Sequence, residues 1–364
     1  MVMYAPEGGR AMLNRINIIR AISCSLIAIF HTTKFLNANA ASLQIPFPIS
    51  APGFHLFLLI SGIVLFYTTR EGDRPLSFMA RRVTRLAPLY WLMTAIAIAL
   101  VLWRPWILPF ANLSPESIVR SFLFIPFDDA AATLRPVLFV GWTLNYIMVF
   151  YALFALSLLA PRRFQAVVVI ACLIALMLAA PAFPDDAARR FYSRPILLEF
   201  ATGVLIGHLL ATKQAAAWVK THSMTALLVV GLIGMFANAL AHLAPLWNVT
   251  VYCVAGAMVV FAMAGEDLYG KRLTSPLLIH AGAISFAVLL VHPLIIPIIG
   301  EPLVSRIHND ALSAAILIPA VLIVSFIAAH LAHIYLEKPV NQRLRALFKA
   351  SGGRPVLEAP APPQ

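Results

Sequence analysis

An arginine and a histidine lie eleven residues apart in one long apolar stretch, Arg20 near its start and His31 near its end. In an α-helix eleven residues complete about three turns, so both side chains project from one face, roughly 16 Å apart along the axis. They could contact the two ends of one elongated ligand. A snorkelling arginine and a histidine hydrogen-bonded inside a helix bundle would explain the same spacing.

A second basic group precedes the third apolar stretch and consists of Arg81, Arg82 and Arg85. Arg82 and Arg85 are three residues apart, so in a helix they project from the same side. Guanidinium groups bind phosphates through parallel hydrogen bonds, and a cytoplasmic donor that carries phosphates could dock here. The alternative is a basic anchor that contacts lipid headgroups, a common feature of cytoplasmic segments.

Four further ionisable residues occur within or at the ends of later apolar stretches: Glu199, His208, His292 and Glu337. Such groups cost several kcal/mol in a bilayer unless they face a cavity or a partner. For each of them a structural contact explains the residue as well as chemistry does. The sequence has no glycine-rich phosphate loop, no paired-histidine zinc helix and no Gly-x-Ser-x-Gly turn. We therefore predict no metal site.

The composition indicates the environment that positions these residues. Of 364 residues, 61% are hydrophobic and 12% are charged, against roughly 25% charged in an average soluble domain. A soluble chain of this length would need many more polar residues to cover its surface, so the composition favours a bilayer. The net charge of +12 is spread in small groups between apolar runs, which does not indicate nucleic-acid binding.

Ten stretches are long and apolar enough to cross the hydrocarbon core as helices, which needs about 20 residues each. The predicted spans are 15–34, 52–70, 86–104, 137–160, 164–182, 195–212, 222–242, 248–264, 277–299 and 311–335. We therefore predict an all-α, polytopic membrane bundle of about ten transmembrane helices. The first stretch has no clear cleavage site and is expected to be a retained helix.

The distribution of basic residues predicts the orientation. With the N-terminus in the cytoplasm, 19 of the 27 lysines and arginines fall on the cytoplasmic side, as the positive-inside rule requires. Both termini are therefore predicted to be cytoplasmic. The expected organisation is a cytoplasmic segment at 1–14, one transmembrane domain at 15–340 and a cytoplasmic, largely disordered tail at 341–364.

Seven groups of residues, in order along almost the whole chain, resemble the acyltransferase-3 family, particularly its members that modify exopolysaccharide and O-antigen. Each group alone is weak, and their order carries the resemblance. They are Arg20-Ala-Ile with His31; Gly53-Phe-His-Leu-Phe-Leu-Leu-Ile-Ser-Gly62; Arg81-Arg-Val-Thr-Arg85 with Pro88 and Tyr90-Trp91; Gly141-Trp-Thr-Leu-Asn-Tyr146 with Phe150-Tyr151; Phe200-Ala-Thr-Gly203; Ile284-Ser-Phe with Leu290-Val-His-Pro293; and Leu336-Glu-Lys-Pro339.

The resemblance implies transfer of an acyl group, usually acetyl from acetyl-CoA, to a hydroxyl of a cell-surface or lipid-linked polysaccharide. His31 would be the catalytic histidine, either as general base toward the hydroxyl or as the group that handles the acyl carbonyl. Arg20, Arg82 and Arg85 would hold the nucleotide and pyrophosphate of CoA at the inner face. The resemblance also implies a location in the cell inner membrane, in contact with membrane lipid. It leaves the oligomeric state open.

Two positions depart from the family pattern. His55 stands where many members have Asp, and Ile147 stands where the family usually has Glu. Isoleucine can neither accept a proton nor orient a hydroxyl, so Ile147 supports an alternative hypothesis, a non-catalytic accessory of glycan export. A transporter or flippase of a lipid-linked glycan is a further alternative, although the sequence shows neither inverted repeats nor paired broken helices.

Overall fold

The computed structural model describes residues 13–39, 50–69, 72–128, 133–241, 243–270, 273–307, 309–340 and 342–343. Almost all of the predicted cytoplasmic segment 1–14 and of the predicted tail 341–364 lies outside the described residues. The described ranges fall mainly in the predicted membrane domain, 15–340.

The described part of the chain folds into thirteen α-helices. They are α1 Asn14–Asn39, α2 Ala51–Thr68, α3 Pro75–Trp103, α4 Pro115–Phe122, α5 Trp142–Ser157, α6 Arg162–Ala179, α7 Asp186–Tyr192, α8 Leu197–Leu210, α9 Lys213–Thr221, α10 Met224–Leu240, α11 Pro245–Tyr269, α12 Pro276–Val304 and α13 Asp310–Ala332. A π-helical turn, His333–Glu337, continues α13. No strand occurs among these residues.

Most of these helices meet the requirements of a membrane span. Within the described ranges, nine helical segments are long and apolar enough to cross a bilayer, and the number becomes ten if α9 and α10 form one span bent by 95°. The prediction of an all-α, multi-pass membrane bundle with about ten spans is therefore confirmed.

The third helix differs from its predicted bounds. Hydropathy placed its start at residue 86, whereas α3 begins at Pro75 and continues for 29 residues with Pro88 inside it. Hydropathy detects where the chain enters the hydrocarbon, and a helix can extend beyond that point into the polar interface. Arg82 and Arg85 are therefore helical residues on the first turns of a spanning helix.

Close helix–helix contacts surround α1 and its neighbour α2. Helix α1 packs most extensively on α12 and then on α2, while α2 packs closely on α8. At Gly282 an added Cβ would lie 2.5 Å from the carbonyl oxygen of Asn17, and at Gly203 it would lie 2.1 Å from that of Leu59. Glycine is therefore required at both interfaces because backbone approaches backbone there. The α1–α12 contact fixes both Arg20 and His31 against α12.

Polar contacts join the helix ends on the side where α1 begins. The Arg15 side chain lies 3.5 Å from the carboxylate of Asp267, near the end of α11. The Arg162 guanidinium, at the start of α6, donates to the carbonyl oxygen of Thr69 at 2.9 Å and thereby caps the end of α2. The first contact places the end of α11 beside the start of α1, and the second places the start of α6 beside the end of α2.

At the opposite end, the connection between α3 and α5 is anchored by Ser121. Its carbonyl oxygen accepts from the Tyr90 hydroxyl at 3.1 Å, and its hydroxyl accepts from the Val137 N–H at 3.0 Å. The connection also contacts α7, because Arg120 and Asp185 form an ion pair at 2.8 Å. The Ala188 N–H and the Arg120 guanidinium hold the pKa of Asp185 below its usual range. This anchored connection leads into Phe139.

Candidate active site

His31 lies in the half of α1 nearer to Asn39 and is partly exposed. Its ring meets the edge of Phe139 at a centroid distance of 4.8 Å and stacks on His292 at 5.5 Å, with the two planes 23° apart. The cations Lys34 and Arg135 lie close enough to interact with it electrostatically. Aromatic rings thus set the position of the imidazole, and both ring nitrogens lack a hydrogen-bond partner among the described residues.

His292 stands behind His31 and is fully buried. Its Nδ1 lies 3.1 Å from the carbonyl oxygen of Val288, one turn earlier on α12. Because a carbonyl can only accept, Nδ1 carries the proton and Nε2 is left with a lone pair. No hydrogen-bond partner of Nε2 occurs in the described part of the chain. The structure thus pairs His31 with a second imidazole, at a position where the sequence left both a structural contact and chemistry open.

Arg20 contacts α12 through two of its nitrogens. Nε donates to the Ser285 hydroxyl at 3.0 Å, and Nη2 donates to the carbonyl oxygen of Gly282 at 2.6 Å. The Ser285 hydroxyl in turn donates to the same carbonyl at 2.8 Å. Among the described residues these contacts leave Nη1 without a partner, so the guanidinium is oriented by α12 but keeps donors for a ligand.

Arg82 and Arg85 differ in their surroundings. The Arg82 guanidinium lies over the rings of Phe78 and Tyr151, 5.2 and 5.8 Å from their centroids, and donates to the Thr68 hydroxyl at 2.6 Å. Arg85 is exposed and lines a pocket of about 190 Å³ together with Glu337. Aromatic faces and a hydroxyl hold the Arg82 cation without neutralising it.

The three arginines form one electropositive region, which we call the arginine cluster (Arg20, Arg82 and Arg85). Arg85 lies within electrostatic range of both Arg20 and Arg82. None of the three forms an ion pair with a carboxylate in the described ranges. Glu337, the acidic residue nearest to the pocket, contacts His333 instead, with Oε2 2.6 Å from Nδ1.

The structure therefore brings together the three arginines predicted to bind the donor, and it separates them from His31 along α1. A separation of eleven positions corresponds to roughly 16 Å of helix, and both Arg20 and His31 contact α12. A ligand that joined the two regions would follow the interface between α1 and α12. That these two regions serve one elongated ligand stays a prediction.

A second pair of polar side chains, His55 and Glu199, lies between α2, α8 and α11. The His55 Nδ1 is 2.5 Å from Oε1 of Glu199, which is fully buried, and the His55 ring stacks on Tyr252 at 3.6 Å. The other carboxylate oxygen of Glu199 has no partner among the described residues. The partner of Glu199 is thus the residue that departs from the family pattern at position 55.

Ile147 is 3% exposed within an apolar cluster that also contains Phe150 and Phe200. It adds no polar group to either region. In the described part of the chain, no group of three or more His, Cys, Asp or Glu side chains is arranged to hold a metal ion.

Comparison with known proteins places the chain in a family. Residues 13–330 match the model of an acyltransferase domain, the acyltransferase-3 family. This match covers most of the chain, and the chain belongs to that family. No solved structure is significantly similar to it.

Three relatives illustrate the range of the family. The exopolysaccharide production protein ExoZ of Rhizobium meliloti is 38% identical over 44% of this chain, and the chain spans only 51% of that protein. Acyltransferase MdmB of Streptomyces mycarofaciens is 26% identical over 84% of this chain and 83% of its own length. BcsY of Komagataeibacter xylinus, named as a membrane-bound transacylase, is 25% identical over 66% of this chain and 64% of its own length. The family and the enzyme class predicted from the motifs are thus confirmed.

Proposed function

We propose that this membrane acyltransferase moves an acyl group, acetyl in the simplest case, from acyl-CoA to a hydroxyl of a cell-surface or lipid-linked polysaccharide. The observation that carries the proposal is the arginine cluster, whose three guanidiniums lack a carboxylate partner in the described ranges. Its member Arg20 lies on α1 and contacts α12, the two helices that also carry His31 and His292. A donor with phosphates at one end and a thioester at the other fits this arrangement.

At the donor end, Arg20, Arg82 and Arg85 would bind the nucleotide and pyrophosphate of CoA. Arg20 is already oriented by Gly282 and Ser285, and Arg82 by Thr68 and two aromatic rings. Preorganised guanidiniums lose little conformational entropy on binding, so their charge contributes more fully to affinity. The pantetheine arm would then extend along α1 toward His31.

At the acyl end, His31 would act as general base toward the sugar hydroxyl or handle the acyl carbonyl. The hydroxyl oxygen attacks the thioester carbon, a carbon–oxygen bond forms, and the carbon–sulfur bond breaks. The hydroxyl proton passes through an imidazole to the departing thiolate, which leaves as the free thiol of CoA. A neutral imidazole suits the first half of this transfer because it can accept the proton.

The acceptor assignment draws support from the name of one relative, ExoZ, which is named for exopolysaccharide production. A glycan acceptor, presented from the membrane or the outer side, accords with a histidine that lies in the half of α1 opposite to the arginine cluster.

We further propose that the enzyme resides in the cell inner membrane with both termini in the cytoplasm. The basic residues are biased toward that side. In this orientation the arginine cluster faces the compartment that contains acyl-CoA.

The experiment compares surface-glycan acylation in cells that carry the wild type, His31→Ala, a deletion of the gene, or His222→Ala. His222 is exposed directly after the end of α9 and serves as a matched histidine control. All variants are expressed at equal levels. We expect the deletion and His31→Ala to lose the same acyl group, whereas His222→Ala retains it.

A loss of acylation in the deletion that His31→Ala does not reproduce would contradict catalysis by His31. Such a result would favour the accessory or transport alternative. Equal acylation in the wild type and the deletion would overturn the proposed function as a whole.

A further inference from the structure

The histidine pair, His31 and His292, contains one imidazole that is fixed by a hydrogen bond and one that is not. His292 is held by the Val288 carbonyl oxygen on α12, whereas the His31 ring packs against the rings of Phe139 and His292 and has no hydrogen bond among the described residues. An imidazole whose Nδ1 proton is held by a carbonyl presents Nε2 as its basic atom, in a defined direction. In this pair the fixed nitrogen belongs to His292.

The Nε2 atom of His292 is an unsatisfied acceptor in the interior of the protein. It is buried and has no partner in the described part of the chain. Buried polar atoms are nearly always hydrogen-bonded, so an exception calls for a ligand or a functional explanation. The atom has a lone pair and no proton, and it can therefore accept from an O–H group but cannot donate to an oxyanion.

We propose that His292 Nε2 accepts the hydrogen bond of the attacking sugar hydroxyl and holds that hydroxyl beside His31. The inference deepens the proposed function and rests on it. His31, partly exposed, forms the accessible side of the pair, and His292 forms its buried side. With centroids 5.5 Å apart, the two rings can contact one reacting centre from adjacent positions.

This assignment gives the two histidines different roles. His292 binds the hydroxyl and orients its oxygen toward the thioester carbon, whereas His31 keeps the role proposed above, as general base or as the group that handles the acyl carbonyl. As the carbon–oxygen bond forms, the hydroxyl proton moves to an imidazole of the pair and then to the departing CoA thiolate. Because the role of His292 is to accept one hydrogen bond, a different side chain with an acceptor at the same place should support part of the reaction.

The test uses three variants of the full chain at position 292. His292→Asn retains a group that can donate to the Val288 carbonyl but has nothing at the place of Nε2. His292→Gln carries an amide oxygen near that place, and His292→Met has similar length without a comparable acceptor. Surface-glycan acylation in cells reports transfer, and binding of acetyl-CoA to the purified protein reports the donor site.

We expect His292→Asn and His292→Met to lower glycan acylation about tenfold or more, which corresponds to the loss of one well-placed hydrogen bond. His292→Gln should retain clearly more acylation than His292→Met. Acetyl-CoA binding should stay within about twofold of the wild type in all three, since the arginine cluster is unchanged.

Wild-type acylation in His292→Asn would overturn the inference. Equal losses in His292→Gln and His292→Met would also overturn it, because the effect would then depend on shape rather than on an acceptor. If His292→Asn does not accumulate in cells, the comparison of acylation between His292→Gln and His292→Met decides by itself. Failure of the proposed function gives a different result, namely a wild type that acylates no more glycan than the deletion does.

Discussion

At the scale of single residues, neighbouring arginines on α3 have different partners. Arg81 forms an ion pair with Asp73 at 2.9 Å, whereas Arg82 lies over two aromatic rings and has no carboxylate partner among the described residues. A neutralised arginine contributes little to anion binding, while an uncompensated one attracts phosphate. The two positions, adjacent in sequence, therefore offer a matched comparison.

We predict that Arg82→Gln weakens acetyl-CoA binding about tenfold to a hundredfold, because a hydrogen bond to a charged group contributes about 1.5–3 kcal/mol. Glutamine keeps part of the side-chain stem that packs on Phe78. Arg81→Gln, which removes an arginine already paired with Asp73, should change binding by less than about threefold. Isothermal titration calorimetry of the purified variants measures the acetyl-CoA dissociation constant of each. Equal losses at the two positions would show that only the total basic charge matters.

The departures from the family pattern also acquire a physical interpretation at this scale. At position 55 a histidine replaces the usual Asp, and it contacts the buried Glu199. A buried carboxylate without a partner would be strongly destabilising, so His55 and Glu199 depend on each other. At position 147 the isoleucine packs in an apolar cluster and supplies no polar group. The catalytic proposal therefore rests on His31 and His292.

At the scale of elements, the contact between α2 and α8 depends on two facing glycines. An added Cβ at Gly62 would lie 2.5 Å from the Phe200 carbonyl oxygen, and one at Gly203 would lie 2.1 Å from that of Leu59. Both obstacles are backbone atoms, which no rotamer change can move. A side chain at either position would therefore separate the helices that carry His55 and Glu199.

We predict that Gly203→Val lowers the midpoint of thermal unfolding in detergent by several degrees, because overpacking in a close interface costs about 1–3 kcal/mol or more. Leu205→Ala on the same helix is the control. Leu205 is 42% exposed, so its truncation removes little packing. Fluorescence-detected size-exclusion chromatography after heating gives both midpoints. An unchanged midpoint in Gly203→Val would mean that the α2–α8 distance is not set by these glycines.

The sequence was sufficient to predict the elements but not all of their contacts. Hydropathy predicts where apolar helices run, because that signal is local, and the helical period predicts that Arg20 and His31 share a face. Helix ends in the polar interface carry no such signal, so the start of α3 at Pro75 was missed. The pairing of His31 with His292 joins residues 261 positions apart. Only the packing of α1 on α12 brings them together.

At the scale of the whole molecule, the polar groups are ordered along the direction in which the helices run. The arginine cluster lies near the end where α1 and α3 begin, and the histidine pair lies nearer the other end of α1. The starts of α1 and α3 lie at the same end because α2 crosses the bundle between them. A donor and an acceptor can therefore approach from opposite sides of the membrane, provided that the arginine end is cytoplasmic.

Whether the arginine end is cytoplasmic can be tested by introducing one cysteine at a time and labelling it in intact cells with a membrane-impermeant maleimide. Glu116→Cys lies on α4, at the end where α3 finishes, and Glu116 is 73% exposed. Lys220→Cys lies on α9, which packs near Gly265 on α11, at the end where α1 begins. The chain without an introduced cysteine is the control, because it measures any labelling of the native Cys24, Cys172 and Cys253, which are buried or partly buried.

We predict that Glu116→Cys is labelled in intact cells and that Lys220→Cys is labelled only after permeabilisation. The physical reason is the excess of lysine and arginine at the end that contains Lys220, which retains that end in the cytoplasm during insertion. The reverse pattern would place the arginine cluster outside, where acyl-CoA is absent, and the donor assignment would then fail even if His31 proved essential. The labelling result thus tests whether the arginine cluster and the histidine pair can belong to one reaction.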